Sequence, residues 1–400
     1  MRETHAHDVA RVAYAFGASF NSSAARFIAM VASVKPSAGP AGFFADQLLD
    51  WHAQHGRHDL PWQTTPPDAY RVWVSEIMLQ QTQVQTVIPY FMRFMQRFPT
   101  VHHLARANEQ EVLALWSGLG YYQRARNLHA CAQTIVAQHQ GVFPNTADAL
   151  AGLPGIGPST AAAIASTVFE ERVAILDGNV KRVLARVTRC PLPWASPAME
   201  RALWQEARLR LPRRASQMPR YTQAIMDLGA TVCRTKTPSC TACPVALHCA
   251  AFQHGEVLAY PVPRPKKRIP RRHAYWCVMV DAQHVWLVQH PTTGIWPSLW
   301  VPWALDRDAL PANWHHTAAH LREVITIRHT FSHYRLEIEA GILDWPNAQR
   351  PPRGAPDHLT RFTWAQALDL PLPAPVQQLL TRLCPSEKAS DAAPRRRNPR

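Results

Sequence analysis

Nowhere in these 400 residues is there a run of about 20 apolar side chains, so no transmembrane helix is expected. Acids are scarce: 28 Asp and Glu stand against 43 Lys and Arg, a formal net charge of +15. That deficit points to a polyanionic partner, nucleic acid first among them. Cysteine is also sparse and is not spread as a disulfide framework. Cys131, Cys190, Cys277 and Cys384 stand alone, whereas Cys233, Cys240, Cys243 and Cys249 crowd together. The pattern suggests a reducing compartment and one metal site. The first forty residues are poor in acids, yet Asn21, Ser22, Ser23 and Arg26 interrupt any apolar core, so a secretory signal is not expected. Residues 1–40 read as an extension, or as upstream of a true start at Met30. No internal repeat is visible.

An apolar content of 47% is ample for two globular domains. From 41 to 258 the chain reads as helix after helix, with apolar residues at helical spacing in FFADQLLDWHAQH, VWVSEIMLQQT, VIPYFMRFMQRF, EQEVLALWSGLGYY and NLHACAQTIVAQH. FPTV, GVFPNT and LPGIGP punctuate them. Residues 259–273 are rich in proline, lysine and arginine and read as an extended basic linker. Beyond it YWCVMVD, HVWLVQH, RHTFSH and RLEIEAGIL alternate apolar and polar residues as strands do, giving a smaller α+β domain over 274–384. A basic tail, 385–400, is expected to be disordered.

Four features carry chemistry. Glu76 lies mid-helix in VWVSEIMLQQT and shares a face with Val72, Trp73, Leu79 and Gln80, so it should lose hydration and keep its proton to higher pH. In LPGIGPSTAAAI, Gly155 and Gly157 allow a tight turn before a helix N-terminus that offers free N–H groups to an anion. In VAILDGNVKRVLAR, Asp177 is either a plain helix cap or an acid that stabilises a cation. The spacing C-x6-C-x2-C-x5-C satisfies neither the usual paired zinc pattern nor the bacterial ferredoxin run, so the metal stays open. The loop between its first two cysteines presents Arg234 and Lys236 to phosphate.

Taken together, SEIMLQQTQV, WSGLGYYQRARNLH, LPGIGPSTA, ILDGNVKRVLAR, the four cysteines and RHTFSH resemble the adenine DNA glycosylases of the MutY type, in order and from Phe43 to about Leu383. The resemblance implies a mostly α helix-hairpin-helix glycosylase region with a [4Fe–4S] cluster on the four cysteines, then a Nudix-like domain. It implies that Glu76 protonates a flipped adenine, that Asp177 steadies the sugar cation, and that Asn179 positions Asp177 and water. Gln81 and Tyr121 would fill the duplex. Gly155, Gly157, Ser159, Lys181, Arg234 and Lys236 would lie at DNA, and Phe331, Ser332 and His333 at an 8-oxoguanine opposite the adenine. Ser159 replaces the lysine with which related glycosylase-lyases form an imine, so a monofunctional hydrolase is expected. No Glu-rich helix of the pyrophosphohydrolase kind is present in the second domain. A bifunctional oxidised-pyrimidine enzyme and a non-catalytic damage binder are the rivals. The resemblance further implies a monomer on duplex DNA carrying 8-oxoguanine:adenine or guanine:adenine mispairs, cytoplasmic and nucleoid-associated if the source is bacterial. A fragment ending near Tyr260 should still excise adenine.

Overall fold

The computed structural model describes residues 43–265, 269–305, 320–331, 333–345 and 355–385. The expected extension over 1–40, the tail beyond Pro385 and Ser332 fall outside the described residues. The helical region runs α1 (Phe43–His55), α2 (Ala69–Leu79), α3 (Val84–Arg97), α4 (Val101–Arg106), α5 (Glu109–Leu115), α6 (Gln123–His139), α7 (Ala147–Ala151), α8 (Pro158–Val168), α9 (Gly178–Val187), α10 (Pro197–Leu209), α11 (Met218–Asp227) and α12 (Ala250–Gln253).

Their apolar faces build two cores. Trp73, Phe91, Phe94, Trp116 and Leu128 centre the first, which Leu153 and Ile156 join from the α7–α8 turn. Leu48, Val180, Leu184, Leu203 and Ile225 centre the second, so α1 crosses to pack with α9, α10 and α11 beside the cysteines. A buried carboxylate fastens that crossing: Asp227 accepts from Arg57 Nε at 2.9 Å and from Gln223 Nε2 at 2.7 Å. Helix α8 serves both cores, turning Ala161, Ile164 and Ala165 to the first and Ala162 and Ala163 to the second. Only small side chains let two packed bodies approach one helix so closely, which accounts for the AAAIA run.

Three boundaries differ from the sequence reading. Helix α2 stops at Leu79 rather than running to Thr82, because Arg124 takes its last carbonyls: Nη1 donates to Ile77, Met78 and Gln80 at 2.8, 2.9 and 2.6 Å. Helix α5 stops at Leu115, since Gly118 (φ 96°) and Gly120 (φ 72°) are left-handed and cannot continue it. The linker is shorter than 259–273, because β1 already begins at Arg271 and pairs in parallel with β6 from Arg271↔Arg335 onward.

The second domain comprises β1 (Arg271–Val280), β2 (His284–Gln289), β3 (Trp300–Val301), β4 (Trp303–Leu305), β5 (Leu321–Thr330), β6 (Arg335–Asp344) and β7 (Thr360–Thr363), then α13 (Trp364–Asp369) and α14 (Ala374–Leu383). The sheet order is β3-β2-β1-β6-β5, with β4 on β1 and β7 on β2. Val278, Ile338 and Ile342 bury one face of this mixed sheet against Val376 and Leu380 of α14. The domain also reaches into the helical region: Leu299 is fully buried inside the first helical core, and Trp296 packs against both.

Candidate active site

Glu76 and Asp177 come from the two helical bodies and meet where those bodies join. Glu76 projects from α2, whose start is fixed by Asp68 accepting from the Arg71 N–H at 3.0 Å. Trp73, Ile77 and Met78 around it are buried, and Glu76 itself is half-buried. Burial first, then the nearby Asp177 carboxylate, pushes Glu76 up to about 7. It is therefore a carboxylic acid with a proton to give near neutrality.

Asp177 is a cap and an acid at once. One oxygen accepts from the Val180 N–H at 2.7 Å at the start of α9, and the other lies 3.4 Å from Asn179 Nδ2. Burial dominates and raises Asp177 above the usual carboxylate range, while Val180, Arg182 and Asn179 act in the opposite direction and moderate the rise. The two carboxyls are thus unlike: Asp177 has donors that favour its ionised form, and Glu76 has a second negative charge that disfavours its own. The backbone entering Asp177 is held by Ser159, whose Oγ accepts from the Leu176 N–H at 3.0 Å. That contact uses one lone pair of the Ser159 hydroxyl and leaves its O–H able to donate.

The two hairpin glycines differ in what they permit. At Gly155 (φ 75°) a Cβ would lie 2.5 Å from Asn127 Cβ, so the fold itself demands glycine. At Gly157, the residue preceding α8, a Cβ would meet no protein atom within 4 Å. The fold does not explain Gly157, whereas a phosphate resting on the α8 N-terminus would. Lys181, expected at DNA, ion-pairs with Glu200 across to α10.

The cysteine segment leaves α11 through a π-helical turn, Leu228–Val232. Among the described residues no set of three or more His, Cys, Asp or Glu converges on a single-ion position. The four cysteines, all free thiols, instead line one small pocket together with Val232, Phe252 and Val257. Burial raises Cys240, Cys243 and Cys249, and neighbouring sulfurs add to it, so Cys243 reaches about 12. Four thiolates so placed repel one another and need a cationic group among them to ionise together; the donor set fits a metal group.

Two arginines of α9 tie this segment to the acids, a role the sequence reading of a basic helix missed. Arg186, only 1% exposed, donates to the Cys233 carbonyl and Sγ at 3.2 and 3.3 Å and to the carbonyls of Arg234 and Thr235 at 2.8 and 3.0 Å. Arg182 joins the Cys233 and Gly229 carbonyls to Asn179 Oδ1 at 2.8 Å. Spacing of four on a helix otherwise built on Val180, Val183, Leu184, Ala185 and Val187 was the available signal, since a buried arginine there must find carbonyls. Arg234 and Lys236 themselves are exposed on the loop.

Gln81 (φ 57°) and Tyr121 (φ 52°) are left-handed, exposed, and on either side of Arg124. Arg124 also donates to the Leu119 and Gly120 carbonyls at 3.3 and 3.1 Å and stacks over Tyr121 at 5.7 Å. One half-buried cation therefore fixes both turns, a role no local sequence signal announces. In the second domain Phe331 is half-buried, with its ring 4.6 Å from those of His329 and Tyr334 and 5.5 Å from Trp296, so packing accounts for it. His333 is exposed on the β5–β6 turn. The structure brings Glu76, Asp177 and Asn179 together, and leaves Phe331 and His333 on a separate surface turn.

Residues 74–208 match the family model of HhH-GPD superfamily base excision DNA repair proteins, and residues 274–382 that of the NUDIX domain. The chain is 33% identical over 346 residues to the adenine DNA glycosylase of Buchnera aphidicola subsp. Schizaphis graminum, covering 84% of this chain and 97% of the relative. It is 36% identical over 360 residues to that of Homo sapiens, covering 73% of this chain and 65% of the relative. Among solved structures, a thermostable thymine-DNA glycosylase aligns with TM-score 0.46 at 24% identity over 53% of this chain and 95% of its own.

Proposed function

Because this chain belongs to the adenine DNA glycosylases, which remove adenine from DNA in base excision repair, we propose that Glu76 and Asp177 divide that reaction between them. The observation that carries the assignment is the half-buried Glu76 acid, pushed up to about 7 beside Asp177. Adenine leaves poorly as an anion, so the Glu76 carboxyl donates its proton to N7 of the flipped base. The C1′–N9 bond then breaks, its electron pair going to the purine and leaving a sugar cation. Asp177, whose ionised form the Val180 and Asn179 donors favour against the pull of burial, faces that cation as the second carboxylate does in glycosidases. The Glu76 carboxylate takes a proton from water as its oxygen bonds to C1′. Products are free adenine and an intact strand with an abasic site.

Cys233, Cys240, Cys243 and Cys249 would hold a [4Fe–4S] cluster, the choice between iron–sulfur and four-cysteine zinc resting on the family resemblance. When bound it supplies iron–thiolate cross-links across the segment. Arg186 orders the loop backbone from the protein side, and Arg234 and Lys236 are left free to meet phosphate.

The substrate we assign is adenine opposite 8-oxoguanine or guanine, with His333 and the adjacent Ser332 contributing polar groups to lesion reading. 8-Oxoguanine differs from guanine by one acceptor and one donor, a distinction good for about 1–3 kcal/mol per well-placed hydrogen bond. The test is adenine release from 8-oxoguanine:adenine and guanine:adenine duplexes, with and without alkali. Breaks should appear only after alkali, and His333→Ala should narrow the preference for the lesion. Scission without alkali, or borohydride trapping of enzyme on DNA, would refute a monofunctional mechanism; an unchanged preference would remove His333 from lesion reading.

A further inference from the structure

The loop that presents Tyr121 is held from two sides, and one of them is the other domain. Between the end of α5 and the start of α6 the backbone turns left-handed at Gly118, Gly120 and Tyr121. A non-glycine residue in that region is strained and persists only where its surroundings enforce it. Arg124 enforces it from within the helical region, through the Leu119 and Gly120 carbonyls. On the far side the Tyr122 hydroxyl donates to the Leu372 carbonyl, and Ser117 Oγ lies 3.3 Å from that carbonyl and 3.4 Å from the Leu372 N–H. Leu372 is fully buried in the segment between α13 and α14. Both residues that grip Leu372 thus bracket the strained turn.

The same seam is pinned beside it. Arg126 donates to the Pro297 carbonyl, Gln110 Nε2 reaches the Ser298 carbonyl at 3.3 Å, and Leu299 is buried in the helical core. Leu372 is therefore carried on a body that shares a core with α5 and α6 and cannot shift independently of the loop.

We infer that the C-terminal domain is a structural part of the base-flipping apparatus: by seating Leu372 against Ser117 and Tyr122 it fixes the turn that drives Tyr121 into the duplex. Tyr122 is then a positioning residue acting through Tyr121. The inference rests on the reading of Tyr121 as the wedge, and it extends the C-terminal domain's role from lesion preference to adenine extrusion.

The test uses full-length protein carrying Tyr122→Phe, Ser117→Ala, Tyr121→Ala, and Tyr122→Phe combined with Tyr121→Ala. Tyr122→Phe keeps the ring in the core and deletes only the donor. Extrusion is followed by stopped-flow fluorescence of 2-aminopurine in place of the target adenine. Excision is followed by single turnover on an adenine:8-oxoguanine duplex and on one with adenine opposite an abasic analogue, where no base pair has to be broken. Tyr122→Phe should slow extrusion and excision about tenfold on the mispair, and less than twofold on the unpaired adenine, with Ser117→Ala following in the same direction. The double variant should be no slower than Tyr121→Ala alone, because the two residues act in one chain. Independent, multiplying losses, or an equal loss on both substrates, would overturn the inference and make Tyr122 a general stabilising contact. If Tyr121→Ala slows extrusion while Tyr122→Phe and Ser117→Ala do not, the inference fails and the wedge stands. If Tyr121→Ala itself extrudes normally, the wedge reading fails first and the inference with it.

Discussion

Replacing Glu76 with glutamine should separate catalysis from folding in opposite directions. The substitution keeps size and polarity and removes one transferable proton. General acid–base catalysis contributes about 10²–10⁴ in rate, so single-turnover adenine release should fall by about that factor while duplex affinity stays within a few-fold. The wild-type rate should hold below pH 7 and fall above it, because burial and Asp177 place the Glu76 proton at about 7 and only the protonated form is the acid. Stability should show the complementary sign. A carboxyl raised from 4.5 to about 7 binds its proton more tightly folded than unfolded, so its contribution is present below 4.5 and is lost as pH rises through 7. The full shift is worth about 3 kcal/mol, and partial solvent access reduces that to about 2. Glu76→Gln should therefore melt higher than wild type at pH 8 and show a much smaller gain at pH 5. Release within tenfold of wild type would remove Glu76 from the acid role. An equal melting gain at both pH values would show that the carboxyl is not strained where the geometry puts it.

Asp177→Asn should lose at least about a hundredfold in excision, since the sugar cation loses its counter-charge, while the Asn side chain still accepts from Val180 and the melting midpoint moves little. Purified protein should carry about four iron atoms with broad visible absorption. Cys243→Ser should lower iron content and duplex affinity together, read by metal analysis and fluorescence anisotropy. Colourless, fully active protein with one zinc would refute the cluster. The hairpin glycines should split cleanly: Gly155→Ala lowers the melting midpoint through its contact with Asn127, whereas Gly157→Ala leaves it in place and weakens duplex binding.

Much of this site was legible because its pieces are local. The helical period around Glu76 puts a carboxyl on one face with Val72, Trp73, Leu79 and Gln80, and an acid short of water follows from that alone. The tight turn at Gly155 and the helix start at Gly178 were equally readable, being set by residues a few positions apart. What sequence could not show were the ends of α2 and α5. The α2 stop depends on Arg124, which lies 47 residues beyond the carbonyl it takes from Ile77, and no local residue announces it. At Phe331 the string RHTFSH suggested a lesion contact, and it could not show that the same half-buried ring also packs with His329, Tyr334 and Trp296.

Asp177 shows why the competing readings of one residue could not be separated in sequence. As a helix cap it needs a carboxylate accepting from N–H groups at the start of α9; as a counter-charge it needs a carboxylate that stays ionised when buried. The Val180 and Asn179 donors satisfy both requirements with the same bonds. The cap thus opposes the rise that burial imposes on Asp177, whereas Glu76 is raised by burial and by the Asp177 charge together and is left as the proton carrier. Arg182 extends the arrangement, holding Asn179 by its oxygen so that its nitrogen faces Asp177, and anchoring itself on the Gly229 and Cys233 carbonyls. The spacing of the acids is consequently set by helix packing, at Gly229, where a Cβ would lie 2.6 Å from Asn179 Cβ. Any side chain there would push α9 off the π-helical turn and carry Asp177 away from Glu76, with both carboxyls intact and the chemistry lost.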